Sequence, residues 1–153
     1  MELEPNGRRP LVTGATRGIG RAIAERLAAE GSALAICACD RDEVDRAVAE
    51  LGERGTGVHG DAVGVTDSDA LERFVAAAGD ALDGVDLLVA NAGGSAGGAR
   101  LADAGAGDWR TTFDLNVVHA VVAARAAVPL MRAADGIRVN ALSPGSLLFP
   151  GGG

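Results

Sequence analysis

A chain of 153 residues with 48% hydrophobic content is long and apolar enough for one packed domain, and with aromatics at 3% its core must be built from small aliphatic side chains. A net charge of −7 without a basic cluster argues against nucleic acid and anionic membranes as partners. All 14 basic residues are arginine, and the chain contains neither lysine nor tyrosine.

Met1 to Arg9 is polar, with Pro and Gly, and reads as a disordered tail without the apolar segment of a signal peptide. No apolar run approaches membrane-spanning length, so a cytoplasmic setting is expected. Pro10 to Thr13 reads as a first strand, with proline at its tolerated first position. The stretch Thr13-Gly14-Ala15-Thr16-Arg17-Gly18-Ile19-Gly20 follows. Gly14 can make a tight turn, Gly18 leaves bare backbone for a ligand, and Gly20 lets helix pack closely on strand. The helix it opens, Gly18 to Glu30, aims free N–H groups and a positive dipole end at the turn, a ready site for a dinucleotide pyrophosphate. Its apolar stripe is Ile19, Ala22, Ile23, Leu27 and Ala28.

Ser32 to Cys39 is a continuous apolar run, as expected for a parallel strand covered on both faces. Cys37 and Cys39 share one face of it and read as small buried hydrophobes. Asp42 to Leu51 is a short helix with Val44, Val48 and Leu51 inward. Val58 to Val65 is a third strand, containing His59, for which no partner is identifiable. Thr66 or Ser68 can cap the next helix, whose stripe is Leu71, Phe74, Val75, Ala78 and Leu82. Val85 to Ala90 is another apolar strand, followed by Asn91-Ala92-Gly93-Gly94. That segment is either a second wall of a ligand groove or a plain turn.

Asp108, a plausible N-cap, opens the longest helix, which runs to Met131. Trp109, Phe113, Asn116, Ala120 and Ala124 recur on one face, which places Asn116 on an apolar stripe where its amide needs partners. His119 lies off that stripe and reads as solvated or surface-packed. No histidine or cysteine pattern suits a metal. Ile137 to Leu142 is a strand, followed by Ser143-Pro144-Gly145 and a glycine-rich end. The alternation of strand and helix with short connections predicts a doubly wound parallel sheet, with ligands bound beyond the carboxyl ends of its strands.

Four blocks in this order resemble the short-chain dehydrogenase/reductase family. They are Thr13-Gly14-x-x-x-Gly18-Ile19-Gly20, Asn91-Ala92-Gly93, Leu115-Asn116-Val117, and Ile137-Arg138-Val139-Asn140-Ala141-Leu142-Ser143-Pro144-Gly145. The resemblance implies an incomplete Rossmann-like domain over residues 10–149, between the tail at 1–9 and a glycine-rich tail at 150–153. It implies cofactor contacts from Gly14, Thr16, Arg17, Gly18, Ile19, Gly20, Cys39, Val65, Asn91, Ala92, Gly93, Pro144 and Gly145.

Members of the family carry a fifth strand ending in a catalytic Ser, then a helix with Tyr-x-x-x-Lys, before the Ile-Arg-Val-Asn block. Here those elements are missing, so the chain reads as internally deleted and C-terminally truncated. Asn116 is the matching member of the family's catalytic group. The segment Ile137 to Leu142 also matches the family's fifth-strand spacing, so it can fill that vacant slot and bring Ser143 near the serine position. Equally, Ser143 is only the loop residue before Pro144.

Losing the Tyr as acid–base catalyst costs about 10²–10⁴ in rate. The expectation is therefore an NAD(P)-binding family protein with impaired catalysis. The alternatives are an active alcohol/carbonyl oxidoreductase, or a non-catalytic remnant that associates with a complete member or folds poorly. Arg17, with help from Arg41, leans the cofactor towards NADP(H) over NAD(H), whereas a small register shift would bring Asp40 into play for NAD(H). The family's adenine-contacting Asp is replaced by Gly64. A homo-oligomer is compatible with the resemblance.

Overall fold

The computed structural model describes residues 7–97, 101–131 and 138–141. In it a five-stranded, all-parallel sheet has the order β3-β2-β1-β4-β5, with β1 Pro10–Thr13, β2 Leu34–Ala38, β3 Val58–Ala62, β4 Leu87–Ala90 and β5 Arg138–Ala141. Helices α1 (Gly18–Ala29), α2 (Arg41–Gly52) and α3 (Ser68–Leu82) form the crossovers. The central strands β1, β2 and β4 are apolar but for Thr13, as strands covered on both faces are, whereas β3, at the sheet edge, carries His59 and Asp61 and is only partly buried. Val12, Leu34 and Ile36 pack with Ala24, Ala28, Ala47 and Leu51 of α1 and α2. Leu11, Ala35, Cys37 and Leu88 pack on the opposite side with Leu71, Phe74, Val75 and Ala78 of α3.

The fifth position of the sheet is filled. β5 pairs with β4 in parallel, Leu87 opposite Arg138 and Ala90 opposite Ala141. Within the expected segment, Arg138–Ala141 therefore supplies the slot that its spacing matched. Ser143, Pro144 and Gly145 lie outside the described residues, as does most of the expected tail. Arg9, assigned to that tail, is instead held at the start of β1. Its guanidinium grips Asp86 at 2.7 and 2.8 Å, and its backbone N–H donates to the same carboxylate at 3.0 Å.

Several local expectations shift for identifiable reasons. Asp67, rather than Thr66 or Ser68, caps α3 by accepting from the Ala70 N–H at 2.9 Å. Asp40 caps α2 in the same way through the Glu43 N–H. In α1 the buried face is Gly20, Ala24 and Ala28, with Ile23 and Leu27 partly buried and Ala22 exposed. Cys37 is buried, but Cys39 falls one residue past β2 and is exposed. His59 stacks on Phe74, with ring centroids 6.0 Å apart.

The long helix departs most from expectation. It runs from Ala106 to Leu130, long and apolar enough by length and composition to cross a membrane, contrary to the reading of the sequence. Its inner face nevertheless lies on α3 and β4. Gly105 is the N-cap, and Asp108 sits in the first turn, accepting from the Gly105 N–H at 2.8 Å. Helix α4 (Ala106–Phe113) passes into a π-helical turn, Asp114–Val118, and then into α5 (His119–Ala127). The widened turn adds a residue and rotates everything beyond it by roughly one residue's angle, about 100°. The buried set is His119, Val122, Ala123 and Ala127, while Trp109 and Phe113 of the expected stripe, which precede the π turn, are exposed.

Candidate dinucleotide site

The carboxyl ends of β1, β2 and β4 meet at the glycine turn. Gly14 and Gly18 have φ of +65° and +57°, which glycine alone adopts without strain. A Cβ on Gly20 would lie 2.2 Å from the Gly14 carbonyl oxygen and 2.4 Å from Asn91 Nδ2. Closeness, more than conformation, thus demands glycine at position 20. Arg17 is the N-cap of α1, but its side chain makes no cap hydrogen bond, and the first turn of α1 contains no acidic residue. By contrast α2 and α3 are capped by Asp40 and Asp67. The positive end of α1 is therefore left to a ligand.

Asn91 and Thr13 lock the two central strands together at this edge. Asn91 Nδ2 donates to the carbonyls of Thr13 and Gly14, both at 3.1 Å. The buried Thr13 hydroxyl accepts from the N–H groups of Asn91 and Ala92, both at 3.0 Å. Asn91 is thus neither a plain turn residue nor a free wall: it fixes the shape of the glycine turn. Thr13 carries this role too. Sequence reading passed over it because a strand threonine has no distinguishing pattern.

Asn116, within the π turn, is exposed and not buried on an apolar stripe; Trp109 and Phe113 of that stripe are exposed as well. Its amide is still fully engaged. Nδ2 donates to the carbonyls of Gly94 and Thr112, both at 2.6 Å, and Oδ1 accepts from the Gly94 N–H at 3.2 Å. Gly93 fits beneath it, since a Cβ there would approach Asn116 Oδ1 to 2.8 Å. Asn116 therefore ties the loop after β4 to the long helix.

On the other side of the turn, Thr16 Oγ1 donates to Glu43 Oε2 at 2.9 Å, and Arg17 Nη1 lies 4.0 Å from Glu43 Oε1. Arg41 pairs with Asp61 at 2.5 Å. Ile19 is half-buried and Cys39 exposed at this edge, whereas Val65 is packed in the core with Leu71 and Phe74. Burial pushes the Cys37 thiol up to about 12, with Asp61 adding to the rise and the Gly14 N–H opposing it, so it is a packing group. His119 is 2% exposed. Burial holds its pKa below the usual range, partly offset by the Leu115 carbonyl, and its ring nitrogens have no hydrogen-bond partner among the described residues.

The short chain dehydrogenase family profile matches residues 9–147. Human dehydrogenase/reductase SDR family member 4 is 35% identical over 143 residues, covering 94% of this chain and 51% of that protein. The structure of a short chain dehydrogenase from Burkholderia cenocepacia in complex with NADP superposes with a TM-score of 0.82 at 34% identity, over 90% of this chain and 56% of that one. L-sorbose reductase from Gluconobacter frateurii, complexed with NADPH and L-sorbose, gives 0.84 at 32% identity, over 92% and 54%. The chain belongs to the short-chain dehydrogenase/reductase family. It spans about half the length of the relatives it matches.

The glycine turn fits the dinucleotide that such relatives bind. It combines an uncapped helix N-terminus, two glycines at positive φ, and a cradle that a Cβ at position 20 would fill.

Proposed function

We propose that this chain binds a nicotinamide dinucleotide at the glycine turn and, by itself, turns over no carbonyl substrate. The observation that carries the binding half is the open, uncapped N-terminus of α1 above Gly14 and Gly18. Its first-turn N–H groups and dipole would hold the pyrophosphate, and Asn91 and Thr13 keep the turn in shape. A bound nicotinamide would supply or accept a hydride. Asn116 Nδ2 is committed to the carbonyls of Gly94 and Thr112, so it orients the loop and carries no proton to a substrate oxygen. Without tyrosine or lysine anywhere in the chain, no side chain matches the family's proton donor or the ammonium that lowers its pKa.

Arg17, exposed at the turn, supports NADP(H) over NAD(H), and the two NADP(H)-bound relatives lean the same way. Arg41 adds less than its position suggested, because it is ion-paired to Asp61. Asp40 is occupied as the cap of α2 and so gives no strong support to NAD(H). Titration with NADPH and NADH, followed by a carbonyl panel on the same sample, tests the reading. Saturable binding without loss of reduced nicotinamide is expected; reproducible turnover would overthrow the inactive half, and absence of binding the other.

A second reading, association with another copy or with a complete family member, is favoured by the exposed apolar face of the long helix at Trp109, Phe113, Val117 and Val121.

A further inference from the structure

The rim of the glycine turn contains a carboxylate where an incoming phosphate would bind. In a dinucleotide fold the adenosine ribose lies near the end of the second strand, about 20 residues past the glycines, and a basic group there receives a 2′-phosphate. In this chain that corner holds Thr16 and Arg17 from the turn, Cys39 and Asp40 after β2, and Arg41 and Glu43 from the first turn of α2. Glu43 lies against both residues of the turn. One of its oxygens takes the Thr16 hydroxyl at 2.9 Å and the other faces Arg17 at 4.0 Å. The Glu43 N–H, which would otherwise be a free donor at the start of α2, is capped by Asp40 at 2.9 Å. Arg41, the remaining cation of the corner, is held by Asp61.

We infer that Glu43 is a cofactor-specificity residue, which holds down the affinity of this site for 2′-phosphorylated dinucleotides, against the pull of Arg17, by taking the Thr16 hydroxyl and setting a negative charge beside it. The inference rests on the dinucleotide reading of the glycine turn. A 2′-phosphate, close to dianionic, must displace Glu43 from Thr16 and then remain beside its negative charge. A 2′-hydroxyl has no charge to be repelled and can share the carboxylate as a hydrogen-bond acceptor. The Arg17–Glu43 contact itself is weak, being long and exposed. The effect therefore comes from repulsion and from the blocked hydroxyl donor, and not from a strong ion pair that must be broken.

Glu43→Gln removes the charge and keeps the shape. Affinity for NADPH is expected to rise about tenfold, as removal of one carboxylate some 5–6 Å from a dianion in water implies. Affinity for NADH should stay level or fall slightly, and the gain should shrink in high salt. Glu50→Gln, which removes a carboxylate paired with Arg21 in the same cleft between α1 and α2 but without a contact to Thr16 or Arg17 among the described hydrogen bonds and ion pairs, controls for bulk charge and should leave the NADPH-to-NADH ratio much less changed than Glu43→Gln does. The NADH titration also reports that the variant is folded. An unchanged ratio in Glu43→Gln, with both dinucleotides bound, overturns the inference while leaving the dinucleotide reading intact. Failure of the unaltered chain to bind either one removes the reading, and the inference with it.

Discussion

At the scale of single residues, the site depends on closeness at one glycine, and the acid stability of the fold on one buried ring. Gly20→Ala would drive a methyl to 2.2 Å from the backbone oxygen of Gly14, which cannot move without opening the turn. Overpacking of this kind costs about 1–3 kcal/mol, and dinucleotide binding should be lost beyond what the instability explains. Gly52→Ala, at the far end of α2 where a Cβ meets nothing within 4 Å, is the matched control and should leave both unchanged. Urea melts and NADPH titration of the two variants check this; normal binding by Gly20→Ala would refute it.

His119 makes the folded state sensitive to mild acid. Burial favours its neutral form, so its pKa is lower folded than unfolded and the unfolded chain binds the proton more readily. Stability from this residue is complete above the unfolded value of about 6.5 and is lost as pH falls through it. The urea midpoint should drop between pH 7.5 and 5.5, and His119→Leu should flatten that drop. An equal drop in the variant would clear His119. The sequence places this ring at the surface when the apolar stripe is drawn through Trp109 and Phe113; both are exposed, and the face that packs inward carries His119, Val122 and Ala123.

Elements were read well where periodicity and composition act locally. The β1–glycine turn–α1 unit follows from residue types alone, and so does α3, whose buried Leu71, Phe74, Val75 and Ala78 are the expected stripe. The use of Arg138 to Ala141 as the neighbour of β4 was legible from spacing. What escaped were pairings across the chain: Thr13 with residues 91 and 92, Thr16 with Glu43, and Arg9 with Asp86, whose partners lie up to 79 residues apart. Local pattern carries no information about them.

The Arg9–Asp86 pair joins the start of β1 to that of β4. Both side chains are largely sheltered, at 23% and 10% exposure. Hydrogen bonds of this charged kind contribute about 1.5–3 kcal/mol. Arg9, by hydrogen bond and charge, holds the Asp86 carboxyl below its usual range. The stabilisation is therefore present above the unfolded value of about 3.9 and disappears as pH falls through and below it. Asp86→Asn should lower the urea midpoint at pH 7, by a deficit that shrinks as pH falls below about 3.9; a constant deficit would show that packing, not charge, is lost.

The whole molecule is a parallel sheet with unequal covering. The face under α1 and α2 and the face under α3 and α5 are both sealed by aliphatic clusters. The outer side of the long helix is not sealed: Trp109, Phe113, Val117 and Val121 are 55%, 57%, 43% and 63% exposed, and they recur every four residues along it. Four large apolar groups in one row exceed the scattered exposed hydrophobics of an ordinary surface. No residue of α4 is buried, so this half of the helix gains little from the body of its own chain. Covering the row with a second apolar surface would remove it from water at about 25 cal/mol per Å², and the net charge of −7 opposes indiscriminate aggregation. Defined self-association is therefore expected, strengthened by salt, which screens the charge while leaving apolar burial intact. Sedimentation over a range of concentrations should show it, and Phe113→Ser with Val121→Ser should shift the chain to monomer while its NADPH affinity is retained. Both substituted side chains lie away from the glycine turn, so loss of binding in step with loss of association would mean instead that the site needs its partner to form. A parent chain that remains monomeric at every concentration and salt would show that the apolar row has no second copy to meet.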